Sequence, residues 1–239
     1  MVGRGEILER MTTVPAAKGP LEALWQGGGI GAVHRRPVLL CPPHPRLGGS
    51  MDSAILAELV WQLARRRHPT LRFNYTGVSA SQGEPALPWL PSADPVDIAP
   101  LVDDARAALR QLRESTGARE VAVVGVSVGA VVAARLLVED DAVAAAALVA
   151  PPVRGVLGPG DALDAAALAG TGAPLVVVAG EDDRTVALAD VRAVCAGLPI
   201  VSVAGADHGF VRGLSAAAAA VVRALSPADD DDDDVDVNI

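Results

Sequence analysis

Short aliphatic runs alternate with helix-length patterns through most of this 239-residue chain. That alternation constrains the fold more than any other feature, because strands separated by helical crossovers pair in parallel, with helices covering both faces. The strand-like runs are 37–41, 70–75, 120–125, 145–150, 174–179 and 200–203. The run 120–125, Glu-Val-Ala-Val-Val-Gly, is β-branched and apolar, as a strand buried on both faces requires. Helical patterns fall at 50–67, 96–116, 128–138, 186–196 and 210–225. Ser50 stands where it can cap the first of these, and Gly117 closes the second.

Two opening runs, 7–14 and 21–26, are separated only by the turn-prone Lys18-Gly19-Pro20. With no helix between them they are expected to form an antiparallel edge. The expectation is an α/β fold with a mostly parallel central sheet of about eight strands and helices on both faces. It places a single domain at 1–225 and an acidic, disordered tail at 226–239.

Composition narrows the function. Aromatic residues make up 3% of the chain and no basic patch is present, so base stacking and phosphate tracking are both poorly served. Nucleic acid is not an expected partner. The formal charge of −9 is a property of the tail, where Asp229 to Asp234 and Asp236 supply all but two of the net negative charges. A run of like charges is normally solvated. Cys41 and Cys195 are the only cysteines, too few for a disulfide framework, and no Cys/His cluster suggests zinc. Residues 1–10 lack the apolar segment of a signal peptide, and the apolar runs are too short and interrupted to span a bilayer. A cytoplasmic protein without a membrane partner, monomeric or homodimeric, is expected.

The chemistry is carried by Gly125-Val126-Ser127-Val128-Gly129, which follows the run 120–125 directly and opens a helix. Gly-x-Ser-x-Gly between strand and helix is the context of a nucleophile elbow, where small flanking residues let the two elements approach. An incidental serine in a tight turn is the plain alternative. A serine nucleophile needs a base, and His208 follows the last strand in Gly205-Ala206-Asp207-His208-Gly209. Residues after the carboxyl ends of parallel strands gather at one edge of the sheet, so His208 can reach Ser127. The third member should be an acid between them that orients the imidazole, and Glu181, Asp182 and Asp183 all qualify by position. The order serine, acid, histidine, each after its own strand, is far more specific than any single piece.

Acyl transfer also needs an oxyanion hole. Val128 supplies one backbone donor, and the loop Pro42-Pro43-His44-Pro45-Arg46-Leu47-Gly48-Gly49 should supply the other. Prolines cannot donate, which leaves the amides of Arg46 or Leu47, with Arg46 taken as the donor. His44 and Leu47 are candidates to line the pocket. A phosphate-cradling turn is disfavoured, since the spacing around Ser127 is neither G-x-G-x-x-G nor a P-loop with its lysine.

Several stretches together resemble the small, uncapped bacterial α/β-hydrolases of the dienelactone hydrolase-like group. They are Pro43-His44-Pro45 with Gly48-Gly49-Ser50-Met51-Asp52, the segment 71–78, the elbow, Ala150-Pro151-Pro152-Val153, the segment 180–186 and Gly205-Ala206-Asp207-His208. The resemblance implies an α/β-hydrolase fold with a minimal cap or none. Its Gly-x-x-Asp-x-x-Val pattern falls on Gly180, Asp183 and Val186, which favours Asp183 over Asp182 as the acid. Dienelactone hydrolase carries cysteine where this chain carries Ser127, and Thr76 stands where relatives often have arginine. The segment 151–172 is short and Gly/Ala-rich, consistent with a small flap at most.

The implied activity is hydrolysis of a small carboxylic ester, thioester or lactone through an acyl-enzyme, with no cofactor and no metal. A non-catalytic member of the same fold, binding a ligand or partner, is the competing class.

Overall fold

The computed structural model describes residues 8–28, 35–85, 97–153 and 162–225. It opens with β1 (Glu9–Val14) and β2 (Leu21–Gln26), continues through β3 (Val38–Cys41), α1 (Ala54–Arg65), β4 (Thr70–Phe73), α2 (Ala99–Thr116) and β5 (Val121–Val126), then α3 (Val128–Glu139), β6 (Val143–Val149), α4 (Ala165–Gly170), β7 (Leu175–Gly180), α5 (Leu188–Val194), β8 (Ile200–Val203) and α6 (Leu214–Leu225). The strands form one eight-stranded sheet in the order β1-β2-β4-β3-β5-β6-β7-β8. From β4 to β8 every neighbouring pair is parallel, and β1 and β2 add an antiparallel edge. The sheet expected from the alternation, including its antiparallel edge, is the one observed.

Central strands β3, β5 and β7 are buried along their whole length. Successive side chains point to opposite faces, so each strand feeds two cores. Leu39, Cys41, Val121, Val123, Val177 and Ala179 pack with α2 and α3, whereas Val38, Leu40, Ala122, Val124, Val176 and Val178 pack with α1 and α6. Aliphatic side chains fill both layers; Phe73, Tyr75 and Phe210 are the large aromatics buried within them.

Element ends depart from the sequence reading where local hydrogen bonds compete. Ser50 does not cap α1: its hydroxyl accepts from the Asp52 amide at 3.1 Å, its carbonyl accepts from Ser53 Oγ at 2.8 Å, and the helix starts after Ser53. Asp97 accepts the Ala99 amide at 2.9 Å, and α2 begins there; the expected start at residue 96 lies outside the described residues. Gly117 closes α2 with a left-handed φ of 67°, as expected. Helix α6 begins four residues later than residue 210, because Phe210 (φ 53°) and Gly213 (φ 80°) turn the chain left-handed first. Helix α4 was not anticipated. Asp164 caps it, accepting the amides of Ala166 and Ala167 at 3.0 Å each, and that aspartate ahead of Ala165-Ala166-Ala167 was the available signal. The acidic stretch 226–239 lies outside the described residues.

Candidate active site

Strand β5 ends at Val126 and α3 starts at Val128, so Ser127 alone makes the turn. Its amide still belongs to the sheet, donating to the Val149 carbonyl at 2.8 Å, while its carbonyl already accepts the Ala130 amide at 2.8 Å. Serving both elements forces φ 53°, ψ −122°, a left-handed conformation that costs an L-residue energy and is typical of functional turns. Space is as tight as the elbow pattern requires. A Cβ on Gly125 would lie 1.9 Å from the Gly129 carbonyl oxygen, and one on Gly129 would lie 2.3 Å from that of Cys41. Both positions therefore need glycine for close backbone approach, not for torsional freedom.

The parallel sheet brings the other candidates to the same edge. Ser127 Oγ lies 3.2 Å from His208 Nε2, and His208 Nδ1 lies 2.8 Å from Asp183 Oδ2. Asp183 Oδ1 accepts the amides of Thr185 and Val186 at 2.8 Å each, so its carboxylate is held on both oxygens. Burial raises the Asp183 pKa, but the hydrogen bonds from His208 and Val186, the His208 charge and the Thr185 amide outweigh it, and the net shift is downward. A carboxylate hydrogen-bonded at Nδ1 fixes the tautomer: Nδ1 carries the proton, and the lone pair of Nε2 faces Ser127. Asp182 is different. Its residue is exposed, and its amide donates to the Ala206 carbonyl at 2.9 Å, joining the β7 and β8 loops through backbone alone. Glu181 is also exposed and accepts from Ser202 Oγ at 3.0 Å.

Val128 opens α3, where the first amides have no intrahelical acceptor. After β3, residues Pro45–Leu47 form a single 3₁₀ turn. The Leu47 amide donates to the His44 carbonyl at 3.1 Å, so that one of the two expected donors is already engaged. His44 is buried, and its carbonyl also accepts the Gly49 amide at 3.0 Å, so it organises the loop from within. Leu47 stands exposed on the loop.

Sequence reasoning missed what holds this loop in place. Met51 donates its amide to Asn74 Oδ1 at 2.8 Å, and its carbonyl accepts from Arg72 Nη1 at 2.6 Å. Both side chains lie in the segment 71–78 that carries the family resemblance, which was their only sequence signal. Thr76, which stands where relatives often have arginine, bonds the buried Asp104 of α2 through its amide (2.7 Å) and its hydroxyl (2.9 Å). Among the described residues, no group of three or more His, Cys, Asp or Glu is placed to hold a metal ion, and no helix is long and apolar enough to cross a membrane.

A mostly parallel sheet with a serine turn at β5–α3 and a histidine after β8 is the arrangement of an α/β-hydrolase. Residues 47–220 match the family described as the alpha/beta hydrolase domain, and the chain belongs to that family. Among solved structures it is similar to an alpha-beta serine hydrolase homologue from Coxiella burnetii, at 26% identity and a TM-score of 0.73, covering 91% of this chain and 97% of that one. A serine hydrolase without a lid from Xanthomonas campestris shares 21% identity with a TM-score of 0.73, covering 91% and 93%. An esterase from Pyrococcus furiosus shares 14% identity with a TM-score of 0.69, covering 92% of each chain. The last two likenesses bear on the fold alone. No curated protein matches the sequence.

Proposed function

We propose that this protein is a serine hydrolase that cleaves small carboxylic esters, or the related thioesters and lactones, through an acyl-enzyme on Ser127. The observation that carries the reading is the continuous hydrogen-bonded line Ser127–His208–Asp183, with its 3.2 Å and 2.8 Å separations, ending on a strained elbow serine. Family membership and the Coxiella serine hydrolase homologue support it.

In the first half-reaction Ser127 Oγ attacks the substrate carbonyl carbon as His208 Nε2 takes its proton. Asp183 keeps the ring in the Nδ1–H tautomer and stabilises the imidazolium that forms. Negative charge on the carbonyl oxygen is met by the amides of Val128 and Arg46, already fixed before reaction, so no reorganisation is needed as the charge develops. Collapse of the tetrahedral intermediate breaks the bond to the leaving alkoxide, thiolate or lactone oxygen, which takes the proton from His208. Water then attacks the acyl-Ser127 ester with His208 as base, and the acid and free serine are released. None of these steps calls on a cofactor.

The size of the substrate follows from the short connection between β6 and β7. The sequence 151–172 is too short for a lid built to sequester a long acyl chain. Fluorophosphonate labelling tests the reading directly. Wild type should be labelled stoichiometrically and Ser127→Ala should not; equal labelling of both, or of neither, would sink Ser127 as an activated nucleophile.

A further inference from the structure

An oxyanion hole has one donor on the elbow and one on a loop, and the loop is the harder of the two to place. The Val128 amide is set by β5 and α3. The Arg46 amide sits in a connection where Pro42, Pro43 and Pro45 have no N–H to tie it to neighbouring strands. Its internal bonds, Leu47 and Gly49 to the His44 carbonyl and Gly48 to that of Pro45 at 3.3 Å, shape the loop but do not locate it on the sheet.

Location comes from the carboxyl end of β4. Leu40 of β3 pairs with Arg72 of β4, so residues 72 and 74 flank the point where the loop leaves the sheet. Alternation along the strand sends the side chains of Arg72 and Asn74 to the same face. There they take both backbone groups of Met51: Asn74 Oδ1 accepts its amide and Arg72 Nη1 donates to its carbonyl. Each is itself immobilised. Arg72 forms a fork with Glu9 of β1, Nε to Oε1 at 2.8 Å and Nη2 to Oε2 at 2.6 Å. Asn74 Nδ2 donates to Glu22 Oε2 of β2 at 2.8 Å. A third tie comes from the next residue, where Tyr75 donates its hydroxyl to the Pro42 carbonyl at 3.3 Å. The loop is thus gripped at both ends from one four-residue stretch, 72–75, and that stretch is braced against the antiparallel edge through Arg72 and Asn74.

Stability alone does not account for this arrangement. Arg72 is 6% exposed and Asn74 is fully buried, and apolar side chains at buried ionic sites are often as stabilising. What a rigid fork supplies is position, and a functional group has to be held to within about 0.5 Å of its productive geometry.

We propose that Arg72 and Asn74 are positioning residues for the oxyanion hole: by clamping the Met51 backbone from β4 they place the Arg46 amide for catalysis. This rests on the serine hydrolase reading above.

The test compares wild type with Arg72→Met and Asn74→Ala, with Arg72→Lys as the milder variant should Arg72→Met not fold. Lysine keeps a cation beside Glu9 but cannot form the fork. Two readouts are taken on each protein: amide hydrogen exchange of peptides covering 42–53 and 121–130, and kcat and KM on p-nitrophenyl acetate. Exchange in 42–53 should rise by about tenfold or more while 121–130 is unchanged, reflecting local opening of the loop. In the same variants kcat should fall about 10- to 100-fold, the effect of a misplaced catalytic group, with KM within about threefold. A folded variant with unaltered loop exchange, or a loosened loop with undiminished kcat, overturns the clamp. A wild type that neither turns over the ester nor takes a fluorophosphonate overturns the hydrolase reading and the oxyanion role together, whereas an active wild type with indifferent variants overturns the clamp alone.

Discussion

Gly180 and Ala206 approach so closely that a Cβ on the glycine would lie 2.3 Å from the alanine carbonyl oxygen. The contact joins the end of β7, which leads to Asp183, to the loop after β8 that carries His208. Glu181 and Asp182 continue it, donating their amides to the carbonyls of Val203 and Ala206 at 3.0 and 2.9 Å. Gly180→Ala is therefore expected to push the two loops apart, costing about 1–3 kcal/mol as overpacking does and lengthening the Asp183–His208 bond. Denaturant unfolding together with kcat on a short ester measures both. A variant with wild-type stability and turnover would show that this close approach has no bearing on the site.

The two aspartates after β7 should separate cleanly. Asp183→Asn leaves the Thr185 and Val186 amides an oxygen to bond but loses the charge that orients the imidazole, so kcat should fall on the order of 10³- to 10⁴-fold. Asp182→Asn leaves the backbone bond to Ala206 intact and should change kcat by less than about twofold, as exposed substitutions usually do. Parallel kinetics of the two variants decide between them; a larger loss at Asp182 would reverse the assignment.

His68 sets a pH dependence of stability that is independent of catalysis. Burial holds its pKa below the ordinary value; the Arg36 carbonyl at its Nδ1 (2.8 Å) acts against that, and the charges of Arg35, Arg36 and Arg66 reinforce it. Nδ1 therefore carries the proton in the fold, and Nε2 is buried with no hydrogen-bond partner among the described residues. With its pKa depressed in the folded protein, His68 takes up its proton more readily when unfolded. Stability is thus complete above the ordinary histidine pKa of about 6.5 and falls as pH drops below it, by up to about 1.4 kcal/mol per pH unit. Urea unfolding from pH 8 to 5 should show that slope in wild type and a shallower one in His68→Gln; equal slopes would remove His68 as its source.

Thiol chemistry distinguishes this elbow from a cysteine one. Burial pushes the Cys41 thiol far up and that of Cys195 up to about 11, so neither provides thiolate at neutral pH. Native protein should be silent to Ellman's reagent over minutes and should keep full ester turnover after iodoacetamide, whereas the denatured chain should titrate both thiols. Fast inactivation by iodoacetamide in the native state would contradict this.

The layered sheet was legible in the chain, because aliphatic runs alternating with helical patterns have few other ways to bury both faces, and the bare pair of runs at 7–14 and 21–26 could only close as a hairpin edge. Also legible was which side chains could meet. Ser127, an acid near 181–183 and His208 each follow a strand, and parallel strands end on one edge. What the tertiary structure decided were the contacts that depend on loop paths. Asp183 and not Asp182 meets His208, since the backbone pairing of Asp182 with Ala206 turns its side chain outward and leaves Asp183 facing in. The left-handed turn at Phe210 that delays α6 carries no periodicity, and the grip of Arg72 and Asn74 on Met51 joins residues far apart in the chain. Spacing along a sequence can place a residue at the end of a strand. Where its side chain then goes is set by hydrogen bonds that exist only once the strands are assembled.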